Sequence, residues 1–254
     1  MRVLLTNDDG IHSYGLEVAA EIAHALSDDV WIVAPELDQS GVSHSLSLND
    51  PLRMREIGER RYAIKGTPTD CVIMGVRHIL NGKVPDLVLS GVNRGSNIGE
   101  DVTYSGTIAG AMEGTILGIP SLALSQAYGP ETRQRPHWQT ALRFAPDLIR
   151  KVLAAGMPRD VLVNVNFPDC PPEEVRGVAV TSQGKRAQEW IRIDPRHDGR
   201  GNPYYWIAFT RGDQATATHG TDLSVLGENR IAVTPLRLDL TDEPFMTRLA
   251  QVFE

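Results

Sequence analysis

The chain has 254 residues, 41% of them hydrophobic, and a formal net charge of −7 at pH 7. That is enough apolar material for one large α/β domain and excludes global disorder, while the acidic balance argues against a nucleic-acid-coating role. The two cysteines, Cys71 and Cys170, lack CxxC or Cys/His spacing, which excludes a zinc ribbon and fits buried thiols in a reducing cytoplasm. No apolar run approaches the roughly 20 residues of a membrane span, and a first strand beginning at Arg2 leaves no room for a signal peptide.

Arg2–Thr6 is an apolar run of buried-strand length. Leu16–Leu26 places apolar residues at helical spacing, and Val30–Ala34 is a second buried strand closed by Pro35. This βαβ opening predicts a sheet that begins parallel with a right-handed crossover. Ser43–Leu48 and Leu52–Ile57 alternate like strands with one wet face, and Tyr62–Ile64 reads as a short strand. Thr67, Pro68 and Asp70 form a helix start, so Asp70 is expected to be a cap rather than a site residue. That helix is expected to end near Asn81 and Gly82.

Asp86–Ser90 is the next buried strand, followed by a glycine-rich loop, Gly91–Tyr104. Ser105–Leu117 reads as a helix with Gly106, Gly110, Gly114 and Gly118 at every fourth position. Each glycine costs up to about 1 kcal/mol of helix propensity. A stripe of hydrogen side chains offsets this by letting the helix lie very close to the sheet or to another helix. Ser121–Ser125 and Val161–Asn166 read as strands around an amphipathic helix, His137–Leu153. After Pro171 and Pro172 the character changes. Arg176–Ser182, Glu189–Ile193 and Tyr204–Arg211 alternate like antiparallel strands, Thr221–Leu226 reads as a short helix and Ile231–Pro235 as a last strand. The expectation is one α/β domain, with a core over 1–170 and a β-rich extension over 171–254.

Asn7-Asp8-Asp9-Gly10 falls at the carboxyl end of the first strand, where open α/β sheets bind ligands. Adjacent carboxylates there need a cation or strong donors, and hard divalent ions such as Mg²⁺ or Mn²⁺ suit them. On spacing alone a polar turn is an equal alternative. There is no GxGxxG, no Walker loop and no GxSxG elbow, and contiguous acids fit an aspartyl nucleophile poorly. Ser40, after the second strand, offers a hydroxyl, although a serine before glycine is also an ordinary turn residue. Asn93 and Asn97 follow the strand Asp86–Ser90 among glycines that let backbone approach a ligand. Ser105, Gly106 and Thr107 open the glycine-striped helix, whose free amides favour a phosphate dianion; capping by Ser105 is compatible with that role. Glu100 reads as surface. His12 is the one histidine near the acids and is a candidate proton donor, or incidental.

Together these segments resemble the SurE family. The matching residues are Leu4–Gly10, Ala34–Gly41, Lys65–Val72, Ser90–Gly114, Thr221–Leu226 and Val233–Thr241. The resemblance implies one divalent cation held by Asp8, Asp9, Ser40 and Asn93, with Asn97, Ser105, Gly106 and Thr107 holding phosphate. It implies hydrolysis of nucleoside 5′- and 3′-monophosphates, with short polyphosphate as a further candidate substrate. It also implies a Rossmann-like three-layer α/β/α core and a homodimer or homotetramer built by exchanged C-terminal segments. Ser13 and Tyr14 stand where the family usually has Ala-Pro or Ser-Pro. The mechanism expected is metal-assisted hydrolysis, with Asp8 or Asp9 orienting water or accepting its proton. The rivals are a covalent aspartyl-phosphate enzyme, a nucleotide-sugar transferase and a non-catalytic nucleotide sensor.

Overall fold

The computed structural model describes residues 1–186, 191–209 and 218–253. Strand β1 (Arg2–Thr6) is buried from Val3 onward, as expected for a strand covered on both faces. It leads into α1 (Tyr14–His24), whose Ser13 cap accepts a hydrogen bond from the Leu16 amide. The chain continues through β2 (Asp29–Pro35), β3 (Arg53–Gly58), β4 (Arg61–Lys65) and α2 (Pro68–Met74). Then follow β5 (Leu87–Arg94), α3 (Gly106–Ile116), β6 (Ser121–Gln126), α4 (Trp138–Ala154) and β7 (Val161–Phe167). The last elements are β8 (Val178–Val180), β9 (Ile191–His197), β10 (Pro203–Phe209), α5 (Asp222–Gly227), β11 (Ile231–Arg237) and α6 (Glu243–Ala250).

Among the described residues, nine strands form one sheet in the order β3-β4-β2-β1-β5-β6-β7-β11-β8. From β4 to β7 every neighbour is parallel; β3 and β11 run antiparallel to their inner neighbours. Alternate residues divide between the two faces. Val3, Leu5, Leu87 and Leu89 pack with α1 and α4, whereas Leu4, Val33 and Val88 pack with α2 on the other side. Residues of α3 join Ala123 and Leu162 on that second side. This is the Rossmann-like three-layer arrangement that the resemblance implied.

The glycine stripe of α3 lies on the sheet. A Cβ on Gly110 would stand 2.8 Å from Ser90 Oγ and from Thr6 Cγ2, and one on Gly114 would stand 2.8 Å from Val88. Asp70 is a cap as expected: its carboxylate accepts from the Thr67 amide at 2.9 Å and Thr67 Oγ1 accepts from the Asp70 amide at 3.2 Å.

Three local expectations change. Ser43–Leu48 is not a strand. Its polar groups are taken by neighbouring helix caps and loops, so it pairs with no ladder. The strand at Val178–Val180 runs parallel to β11, not antiparallel. Helix α6 was not expected; Asp242 caps it through the Phe245 amide. The antiparallel pair expected near 189–193 and 204–211 is present as β9 and β10, and its ends at 189–190 and 210–211 lie outside the described residues.

Candidate active site

The chain order reverses at β1: β2 lies on one side and β5, reached only after β4 and α2, on the other. The carboxyl ends of β1 and β5 therefore border a switch-point crevice. A cavity of about 490 Å³ opens there. Asp8, Asp9, Ser40, Asn93, Asn97 and Ser105 all line it, so loops following three different strands meet at one rim.

Asp8 is 4% exposed. Burial, reinforced by the charge of Asp9, pushes its carboxyl up to about 7, and the Thr107 hydroxyl and amide pull it back only in part. Thr107 donates its hydroxyl to Asp8 Oδ1. The Gln39 amide donates to the Asp8 carbonyl at 2.8 Å, tying the Ser40 segment to the acidic turn. Asp9 is also raised, chiefly by burial and then by Asp38, while the Arg94 amide, donating to Asp9 Oδ2 at 3.1 Å, opposes this. Asn93 donates its side-chain N–H to the Gly95 carbonyl at 2.9 Å, which fixes the orientation of its amide.

Asn97 is clamped from beneath. Its amide donates to Asn166 Oδ1 at 2.8 Å, and its carbonyl accepts from Asn164 at 2.8 Å and Asn166 at 3.1 Å. Its side-chain nitrogen donates to Ser125 Oγ at 3.0 Å, leaving one N–H for a ligand. Ser105 caps α3 by accepting from the Ile108 amide at 3.1 Å, so its own hydroxyl hydrogen is left to donate. Gly106 must be glycine: a Cβ would come within 2.7 Å of the Asp8 Cβ.

The Thr107 hydroxyl, expected as a phosphate donor, is turned inward. Thr107 is fully buried, and its hydroxyl serves the buried Asp8 carboxylate, which needs donors more than the solvated rim does. His12 is exposed and outside the cavity. Tyr104, Tyr128, Asp169 and Arg186 also line the cavity and received no role from sequence. Asp169 had a readable signal, since it follows the end of β7. Arg186 had none: it arrives from the C-terminal region and forms a two-nitrogen contact with Asp101, with its Nε at 3.1 Å.

Among the described residues no three His, Cys, Asp or Glu side chains group to hold a metal. The donor set at this rim is of another kind. Two carboxylates, a hydroxyl and an amide carbonyl are all hard oxygen donors whose charge of −2 matches one divalent cation. Both carboxyls are raised by burial and by neighbouring acids, which the Arg94 charge beside Asp9 only partly offsets, so a cation between them favours their ionised forms. The residues present thus fit a cation such as Mg²⁺ or Mn²⁺.

Fold and site together define a doubly wound α/β protein with an oxygen-lined ligand cleft at its switch point. The chain belongs to the SurE family: the family model described as Survival protein SurE matches residues 3–190. It is 67% identical to the 5′-nucleotidase SurE of Azorhizobium caulinodans, over 100% of this chain and 99% of the relative. It is 66% identical to the 5′-nucleotidase SurE of Bradyrhizobium diazoefficiens, over 98% of each. The crystal structure of the SurE protein from Aquifex aeolicus superposes with a TM-score of 0.86 at 44% identity, covering 100% of both chains. Among the described residues no helix is long and apolar enough to cross a membrane.

Proposed function

We propose that the protein is a divalent-metal-dependent 5′-nucleotidase that hydrolyses nucleoside 5′- and 3′-monophosphates to nucleoside and phosphate. The observation that carries this is the buried Asp8 carboxylate beside Asp9, at a rim where Ser40 and Asn93 supply further oxygens. A phosphate dianion cannot approach two carboxylates without a cation between them. The family relatives named 5′-nucleotidase support the reaction class.

A divalent cation, bound by Asp8, Asp9, Ser40 and Asn93, would polarise a phosphoryl oxygen and acidify a water. Asp8, fixed by Thr107, and Asp9, fixed by the Arg94 amide, orient the attacking water, and one of them accepts its proton. Water oxygen bonds to phosphorus as the ester P–O bond breaks, and the nucleoside leaves as an alcohol after taking up a proton. The Ser105 hydroxyl, the free Asn97 N–H and the Gly106 amide hold the phosphate oxygens as charge grows on them. Thr107 serves the same step through Asp8. Short polyphosphate, also an oxygen-rich anion, fits the same donors.

We further propose a homodimer or homotetramer in which residues 171–254 supply the assembly arm. The β9–β10 hairpin stands apart from the main sheet, and a lone hairpin is marginal in water. Ile193, Tyr205 and Ile207 are 57%, 64% and 69% exposed, and α6 buries no residue. A second copy of the chain covers these surfaces. A cytoplasmic setting fits the two buried free thiols, Cys71 and Cys170. The deciding experiment is phosphate release from a nucleoside-monophosphate panel, with protein stripped of metal and then refilled with Mg²⁺ or Mn²⁺. Release that is unchanged by stripping, or absent after refilling, overturns the proposal.

A further inference from the structure

The segment carrying Ser40 runs between β2 and β3 without regular structure, yet it is fastened at successive points. The Ser40 amide donates to Asp38 Oδ1 at 2.7 Å. Ser43 donates its amide to the Tyr104 carbonyl at 3.1 Å and its hydroxyl to the Thr103 carbonyl at 2.7 Å. The Ser45 carbonyl accepts from Thr67 Oγ1 at 2.9 Å, and Ser47 donates its amide and hydroxyl to Asp70 at 3.1 and 2.6 Å. Between these, His44 Nε2 lies 3.0 Å from Glu113 Oε2 and donates to it.

Glu113 is unusual where it stands. It is 7% exposed, on a helix whose neighbouring Gly110 and Gly114 exist to press backbone on the sheet. A carboxylate so placed is rarely buried without a partner, and His44 is that partner. The same helix holds Asp8 through Thr107, six residues earlier, or about 9 Å along its axis. Helix α3 therefore fixes both sides of the rim: Asp8 from its first turn and the Ser40 segment from its third.

We propose that His44 and Glu113 are positioning residues that set the affinity of the rim for its divalent cation, by holding the Ser40 segment against Asp8 and Asp9. The proposal rests on the cation reading given above. Neither side chain lines the cavity, so both act through the segment they fix. A merely structural pair would lower the melting temperature and leave cation affinity alone.

The test is calorimetric titration of metal-stripped protein with Mn²⁺, with kcat measured separately at saturating Mn²⁺. His44→Ala is expected to weaken Mn²⁺ binding about tenfold, the low end of what losing a group that orients metal ligands costs, because His44 acts on the segment and not on a ligand directly. Its kcat at saturation stays within about twofold of the parent, because the lost contact acts on binding rather than on the reacting groups. His44→Gln keeps an N–H donor and recovers most of the affinity. Glu113→Ala matches His44→Ala, and the double variant is no worse than either, as for two ends of one interaction. If Glu113→Ala does not fold, the partly exposed His44 carries the test alone. Unchanged Mn²⁺ affinity in His44→Ala, with or without a lower melting temperature, overturns the proposal. Wild-type protein that binds no Mn²⁺ overturns the cation reading and this proposal with it; wild-type binding matched by His44→Ala overturns this proposal only.

Discussion

Strand β7 and strand β9 are each seven residues long and meet opposite fates. Every residue of β7 after Val161 is buried between α-helical layers, whereas six of the seven in β9 are exposed. The parallel core closes its own apolar faces; the hairpin and α6 leave Ile207, Tyr205 and Phe245 in water. Monomeric proteins seldom leave apolar patches of this kind uncovered. The two regions thus have different dependencies. On the proposed reading, the core carries the reacting groups and needs no partner for its packing, while the exposed hairpin and α6 are covered by another copy of the chain.

That contrast is broken most directly by two substitutions, one in each region. Asp9→Asn in the core is expected to lower kcat/KM for AMP by about a thousandfold, with oligomeric state unchanged. Steady-state phosphate release and analytical ultracentrifugation check the two halves of that statement. Ile207→Asp in the arm should do the reverse. It places a charge on a surface that the proposed assembly covers, and is expected to weaken association by at least about thirtyfold, or about 2 kcal/mol. Sedimentation at graded protein concentration should show smaller species, while the circular dichroism of the core is unaltered. A wild-type protein that sediments as a monomer would remove the arm's assigned purpose.

The core's elements are readable because each carries its own local signal. Buried runs end in turn residues, Thr67 and Asp70 form a cap, and the acids follow a strand end. The convergence of Asp8, Ser40 and Asn93 follows from parallel strands delivering their loops to one edge. What cannot be read is which way a side chain turns once helix and sheet have met. Thr107 is a free donor at a helix start until Asp8 lies beneath it. The alternation of Ser43–Leu48 resembles a strand because nothing nearby in sequence shows that Asp70 and Glu113 will claim its polar groups. Arg186 reaches the cavity across 85 residues of separation from Asp101. Helix α6 had a local start signal in Asp242 and Pro244, but no packed face to single it out.

Gly110→Ala sharpens the account of the core with a smaller effect. Alanine is favoured over glycine in a helix by about 1 kcal/mol, so an exposed glycine would gain stability from the change. Here the added methyl meets Ser90 Oγ and Thr6 Cγ2 at 2.8 Å, both on a β-sheet that cannot recede. Overpacking of this sort costs about 1–3 kcal/mol, so the net expectation is a loss of about 1 kcal/mol. Urea unfolding measures it. A gain would mean that α3 has room to lift from the sheet.

The smallest effect tests how the two regions are joined. Asp222 in α5 is fully buried and accepts amide hydrogens from Gly99 at 2.9 Å, Gly184 at 2.8 Å and Leu223 at 2.8 Å. Burial raises its carboxyl above the ordinary aspartate range, and those three amides only partly offset it. Between the ordinary value of 3.8 and the raised one, the folded protein holds this proton and the unfolded chain does not. Stability from this group is therefore greatest below the ordinary range and falls as pH rises through the raised value. A carboxamide has no such proton to lose, so the advantage of wild type over Asp222→Asn should shrink from pH 4 upward, as urea unfolding of both proteins across that range would show. An advantage that grows with pH would mean that the three amides outweigh burial, and that the contact of α5 with the backbone at Gly99 and Gly184 is held by a fully ionised carboxylate.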